Sequence, residues 1–163
     1  MKKITKLLLL LVVAVAGSLT SCRTNQQISN SMSYASFESA LINISPSGVL
    51  TVRAWGSGPN EATAIEEAKK NVVADVLFNG FKTSNSYLAK PLVPEVNARE
   101  RYAEYFNRFF SNGGEYKKFV TEASTSDSSR VSAATNGLQK HSAVLNVDRA
   151  ALERQMKADG ILR

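Results

Sequence analysis

One cysteine, one histidine, one tryptophan and four prolines stand among 163 residues. A single thiol excludes an internal disulfide framework and every multi-thiolate metal site. A single imidazole excludes a histidine-rich metal centre and leaves only one base for a Ser-His-Asp arrangement. No metal or cofactor is therefore expected. Charge of one sign is in modest excess, 20 Lys+Arg against 14 Asp+Glu, a formal +6. Long apolar runs are scarce as well. The ten residues Leu7 to Ala16 form one; as a helix such a run spans about 15 Å, half a hydrocarbon core, which is too short for a transmembrane helix. No internal repeats or coiled-coil heptads occur. What is present is 44% hydrophobic residues, a composition that argues for a globular chain and against wholesale disorder.

The short apolar run has a context. Lys2, Lys3 and Lys6 precede it as a positive region, and Gly17, Ser18, Thr20 and Ser21 follow it as small or polar residues. This is the pattern of a secretory signal peptide. Leu19-Thr20-Ser21-Cys22 then resembles a lipobox, the processing site of bacterial lipoproteins. That resemblance implies cleavage before Cys22, a diacylglyceryl group on its thiol and acylation of its freed amine. Several acyl chains, at about 0.8 kcal/mol per buried CH₂, make such an anchor effectively permanent. Cys22 is thus expected to be a lipidation site and not a redox centre. Arg23 follows it in place of an aspartate, which by analogy with the inner-membrane retention signal favours the outer membrane, facing the periplasm. Loss of the leader removes three lysines, so the charge excess is no argument for nucleic-acid binding.

Residues 1–21 are read as the leader, 22–34 as a flexible tether and 35–163 as a single folded domain. Between Arg23 and Ser33 the chain is rich in Asn, Gln, Ser and Thr, with only Ile28 and Met32 as sizeable apolar groups. Extended, it reaches about 35 Å. From Phe37 a strand pattern begins. Ala40, Ile42 and Ile44 alternate with Ser39, Leu41 and Asn43, then Ser45-Pro46-Ser47-Gly48 supplies turn chemistry. Leu50, Val52 and Ala54 alternate with Thr51, Arg53 and Trp55, which completes a β-hairpin with one buried face.

Gly56 to Asn60 reads as a strand break, with Asn60 as N-cap of a helix. Ile65, Ala68, Val72 and Val76 form its apolar stripe, widened by Val73 and Leu77, and Gly80 ends it. After a loop from Thr83 to Pro94, a second helix is expected from about Glu95 to Ser111, closed by Asn112-Gly113-Gly114. A strand from Tyr116 to Ser124, a Ser-Asp-Ser-Ser turn and one long strand from about Arg130 to Val147, bulged at Asn136-Gly137, come next. Asp148 caps a terminal helix with Leu152 and Met156 inward, and Gly160 with Ile161 suggests a Schellman ending. The order β-β-α-α-β-β-α predicts an α+β fold, an antiparallel sheet of about four strands with helices packed on one face.

Several motifs invite chemistry. Gly56-Ser57-Gly58 before a helix suggests a phosphate cradle, but it lacks a third glycine and the Lys-Ser/Thr of a P-loop, and Pro59 removes a donor. Tyr102, Tyr105, Phe106, Phe109 and Phe110, interleaved with Arg99, Arg101 and Arg108, have helical spacing, which makes them core or partner-facing; Glu100 and Glu104 weaken any field for nucleic acid. His141 lies in phase with Ala143, Leu145 and Val147, a structural placement with no nucleophile or carboxylate nominated beside it. Glu66 and Glu67 stand on the polar face of the first helix. Arg53 and Trp55 share one strand face and, with Tyr105, are the candidate interface residues. No catalytic residue is expected.

The stretch Gly48-Val49-Leu50-Thr51-Val52-Arg53-Ala54-Trp55-Gly56-Ser57-Gly58, followed by Glu61-Ala62-Thr63-Ala64-Ile65-Glu66-Glu67-Ala68-Lys69-Lys70-Asn71, resembles small bacterial envelope lipoproteins. It is more distantly similar to the N-terminal domain of flagellar T-ring assembly proteins and related outer-membrane lipoproteins. Lys90-Pro91-Leu92-Val93 and Phe109-Phe110 with Gly113-Gly114 extend the likeness. The resemblance implies an α+β domain with a role in envelope assembly or attachment, and no catalytic residue. The expected function is therefore that of a binding or scaffold subunit, partnered by the membrane through its lipid and by an envelope protein. The alternatives are a hydrolase acting on cell-wall glycan or peptide, which needs convergent acids in a cleft, and a small-ligand carrier, which needs a deep apolar pocket.

Overall fold

The computed structural model describes residues 39–82, 86–123, 132–135 and 138–162. The leader, Cys22, the tether and the Ser-Asp-Ser-Ser turn lie outside the described residues. The fold is α+β, as expected. Strand β1 (Ala40–Ile44) and β2 (Val49–Gly58) form the first hairpin. Helix α1 (Glu61–Ala74) follows and widens into a π turn over Asp75–Asn79. Short helices α2 (Ala98–Arg101) and α3 (Ala103–Phe109) precede a 3₁₀ turn, Glu115–Phe119. Strands β3 (Val120–Glu122), β4 (Ser132–Thr135) and β5 (Leu138–Asp148) lead into α4 (Arg149–Ala158).

All pairings are antiparallel, in the order β1-β2-β5, with β3 and β4 sharing the far edge of β5. β3 takes the end near Val147 and β4 the end near His141. Five strands thus occupy about four positions. β2 and β5 pair over their full length, from Val49 opposite Asp148 to Gly58 opposite Gln139. Alternation along β2 puts Leu50, Val52 and Ala54 on the helix side with no exposed surface; on β5 it places Val147, Leu145 and Ala143 beside them. Those side chains join Ile65, Ala68, Val72 and Leu77 of the α1 region and Leu152 and Met156 of α4 in one apolar core. The predicted helix stripe is the stripe that is buried.

The caps follow the sequence. The Asn60 Oδ1 accepts from the Thr63 N–H at 2.9 Å and the Asp148 Oδ1 from the Ala151 N–H at 2.8 Å. At the end of α4 the Ile161 N–H reaches the Met156 carbonyl at 2.9 Å and Gly160, at φ 72°, bonds Lys157, the Schellman pattern. Ser39, where the described chain begins, donates to Asp75 Oδ2 at 2.6 Å. Burial raises the Asp75 carboxyl above its ordinary value, against the pull of Ser39, Asn79 and Arg99.

Five expectations are corrected. β2 does not break at Gly56 but runs through Gly58, because both glycines are paired with β5. On β1 a bulge between Leu41 and Asn43 puts Leu41 and Ile44 against the core and leaves Ile42 52% exposed, so Ile42 is not on the buried face. The second helix is two pieces meeting at Tyr102 (φ −111°, ψ 31°), with the Phe106 N–H still bonded to the Tyr102 carbonyl at 3.0 Å. Residues Tyr116 to Phe119 form a 3₁₀ turn in place of a strand, which lets Tyr116 and Phe119 both bury. The single strand from Arg130 to Val147 is a hairpin: Thr135 pairs with Leu138, so the chain reverses between them. Asn-Gly is the favoured sequence for a two-residue hairpin connection, and the bulge reading missed that; those two residues lie outside the described ones.

Candidate functional site

The two glycines of β2 explain how the helix layer sits on the sheet. A Cβ on Gly56 would come 1.9 Å from the Ala64 carbonyl oxygen and 2.5 Å from the Ala68 nitrogen; one on Gly58 would come 2.8 Å from the Ala64 nitrogen. Gly-Ser-Gly is therefore a docking seat for α1. Its backbone is engaged in the ladder with His141, Lys140 and Gln139, which is incompatible with the free N–H cradle that a phosphate needs.

His141 lies opposite Gly56 on the core side, 7% exposed, with Nε2 at 3.2 Å from Gln139 Oε1. Its Nδ1 is buried without a hydrogen-bond partner. No carboxylate or nucleophile is bonded to it, in keeping with a structural placement.

Arg53 and Trp55 project from the other face of the sheet, opposite Val144 and Ser142 of β5. Both are half-buried, and neither the guanidinium nor the indole makes a hydrogen bond, ion pair or ring contact. They share a face but are not a cation–π pair. Thr51 shares this face and donates to Asn146 Oδ1 at 2.9 Å. The described helices contribute to the core on the opposite side, so no described helix covers this one.

Tyr105 is on α3, far from that face in its contacts. Its ring stacks on Phe109 at 5.8 Å and meets Phe106 edge-on at 5.2 Å; its hydroxyl donates to Asp159 Oδ2 at 2.5 Å. Burial and then Asp159 push the phenol far above its ordinary value. Tyr105 lines a cleft of about 630 Å³ with Arg108, Gly113, Glu115, Gln155 and Asp159 among its walls. The two acids there are occupied: Glu115 accepts from Lys118 at 3.0 Å, and Asp159 from Tyr105 and from Gln155 at 2.9 Å. The three interface candidates thus fall into two places, and the sequence had no signal to separate them.

Comparison with protein-family models, curated proteins and solved structures finds no match. The side chains alone carry the argument.

Glu66 heads a charge network that sequence reading assigned only to a solvated face. Its Oε1 pairs with Lys69 at 3.0 Å, its Oε2 with Lys117 at 2.6 Å and with the Tyr116 hydroxyl at 3.1 Å, and Lys69 bridges on to Glu122 at 3.1 Å. Burial pushes the Glu66 carboxyl up, but the Lys117 and Lys69 contacts outweigh it and hold it at about 2. A depressed carboxyl stabilises the fold above its unfolded value of 4.5 and loses that contribution as pH falls towards 2. The stability gap between the native chain and Glu66→Gln should therefore be open at pH 7 and close between pH 4.5 and 2, measured by urea unfolding. A gap constant with pH would show that the pairs do not hold in solution.

Arg149 is a further residue the sequence did not flag. It is 3% exposed and pinned by Glu153 at 3.4 Å, the Lys90 carbonyl at 3.5 Å and the Tyr87 ring at 5.6 Å. It fastens the 87–90 segment to α4. Among the described residues no group of three His, Cys, Asp or Glu is placed to hold a metal ion. Nor is any described helix long and apolar enough to cross a membrane.

Proposed function

We propose that this chain is a lipoprotein of the bacterial envelope, anchored through Cys22 to the outer membrane and facing the periplasm, which acts by binding as a scaffold or accessory subunit of an assembly there. The observation that carries it is the only thiol of the chain standing in Leu19-Thr20-Ser21-Cys22, directly behind a basic region and a ten-residue apolar run. The resemblance to envelope lipoproteins in the Gly48–Asn71 stretch points the same way. A lipid anchor confines the domain to a thin layer, so weak contacts with an envelope protein become effective through raised local concentration. The acids of the folded domain that lie in clefts are tied into ion pairs and hydrogen bonds, as suits a binding surface.

Cys22→Ser is the deciding variant. The native chain should stay with membranes after an alkaline wash, whereas Cys22→Ser should move to the soluble fraction or remain unprocessed. Native protein free of acyl mass at Cys22 by mass spectrometry would end this reading.

The second reading is a hydrolase of cell-wall glycan or peptide, favoured by one feature: Glu115 and Asp159 share the cleft beside Tyr105. Turnover of purified cell-wall glycan that Asp159→Asn abolishes would select it.

A further inference from the structure

We propose that the helix-free face of the sheet docks flat on the anionic headgroups of the bilayer that carries the anchor, with Arg53 and Trp55 as its contact residues. The inference deepens the anchored reading and rests on it.

Three observations converge. The outward positions of the sheet hold Thr51, Arg53, Trp55 and Ser57 on β2 and Lys140, Ser142, Val144 and Asn146 on β5. The basic groups among them are Arg53 and Lys140; the acid at that parity, Asp148, is engaged as the cap of α4. The acids of the Glu66 network belong to the helix side. An anionic surface attracts such a face within about a Debye length.

The composition of the face also suits headgroups better than a protein partner. A protein interface has an apolar, aromatic centre, whereas here one indole and one guanidinium, both without partners, stand among hydroxyls and amides. Tryptophan is the side chain that sits at the membrane–water boundary, with its apolar ring and polar N–H satisfied together.

The path of the chain completes the geometry. The described chain begins at Ser39, seventeen residues after Cys22, and Ala40 pairs with Arg53. The anchor therefore feeds into the domain at the flank of this face, on a leash of at most about 56 Å at about 3.3 Å per residue.

Trp55 is the only tryptophan of the chain, so its emission reports this face alone. The mature lipidated protein is reconstituted into vesicles of phosphatidylglycerol and phosphatidylethanolamine, and separately of phosphatidylcholine. On the anionic vesicles Trp55 should shift to the blue and be quenched by brominated phosphatidylglycerol, and high salt should reverse much of this. Arg53→Gln, its fold checked by circular dichroism, should lower the ratio of docked to undocked protein about fivefold, the effect of one basic group at an anionic surface. Protein that floats with the vesicles while Trp55 stays as open to iodide on anionic as on neutral lipid would overturn the docking and leave the anchor standing. Protein that does not float at all would overturn the anchor and the docking with it. Protection of Trp55 only after solubilised envelope proteins are added would assign the face to a protein partner and also overturn the proposal.

Discussion

Gly56→Ala is expected to cost the domain about 3 kcal/mol or more, the upper end of what overpacking does. The methyl group would sit 1.9 Å from the Ala64 carbonyl oxygen and 2.5 Å from the Ala68 nitrogen, and both obstacles are backbone. No rotamer change relieves them, so α1 must lift from β2 or the strand must bend. Lifting α1 opens the core where Ala54, Ala64 and Ala68 are fully buried. Chemical denaturation of the folded chain measures the loss, and a melting point lower by about 10 °C should accompany it. Gly113→Ala is the comparison. Its Cβ would meet nothing within 4 Å, and only its φ of 82° resists a side chain, a strain of about 1–2 kcal/mol. Equal costs at the two positions would mean that close helix–sheet contact is not what Gly56 provides.

Phe106→Ala should cost about 3–5 kcal/mol, the range for emptying a phenylalanine site in a closed core. Phe106 has no exposed surface. It meets Phe78 edge-on with centroids 4.9 Å apart and Tyr105 at 5.2 Å, and it lies 6.4 Å from Phe110. Truncation therefore leaves a cavity lined by rings from α3 and from the π turn after α1, and it removes edge contacts besides apolar area. Near-ultraviolet circular dichroism should lose intensity along with the fall in stability. Val96→Ala, at a site 93% exposed, should change stability by less than about 0.5 kcal/mol. A Phe106→Ala variant as stable as Val96→Ala would show that the ring cluster is not packed as described.

What sequence reasoning could see depended on whether local pattern and tertiary demand agreed. Ile65, Ala68, Val72 and Val76 repeat with helical period and bury together, because a helix that long sets its own face before anything packs on it. Leu50, Val52 and Ala54 were legible for the same reason, since alternation survives in a strand paired along its whole length. Ile42 was misplaced because a bulge shifts the alternation by one residue, and nothing in five residues of sequence announces it. Tyr116 and Phe119 have a spacing of three that suits a 3₁₀ turn, but aromatic content pulled the reading towards a strand. Gly56 and Gly58 look like chain breakers in sequence; only the approach of Ala64 shows that they are spaces kept empty.

The site followed the same logic. That Arg53 and Trp55 share a face is a consequence of period two and was readable. That Tyr105 belongs to a different surface, bonded to Asp159 across 54 residues of sequence, was not, since no periodicity links α3 to the end of α4. The Glu66 network escaped for the same reason: its partners Lys117 and Glu122 arrive from the far side of the chain.

β5 has one further consequence. It is the partner of β2, β3 and β4 alike, and its pairing with β2 joins Val49 to Asp148. The sheet therefore has no stable half that forms from the leading part of the chain, and closure waits until nearly the last residue is available. Such distant pairing is slow to nucleate. For a polypeptide that carries an export leader, late closure keeps the strand-forming segments threadable during passage through a narrow conduit, and lets the fold form on the far side.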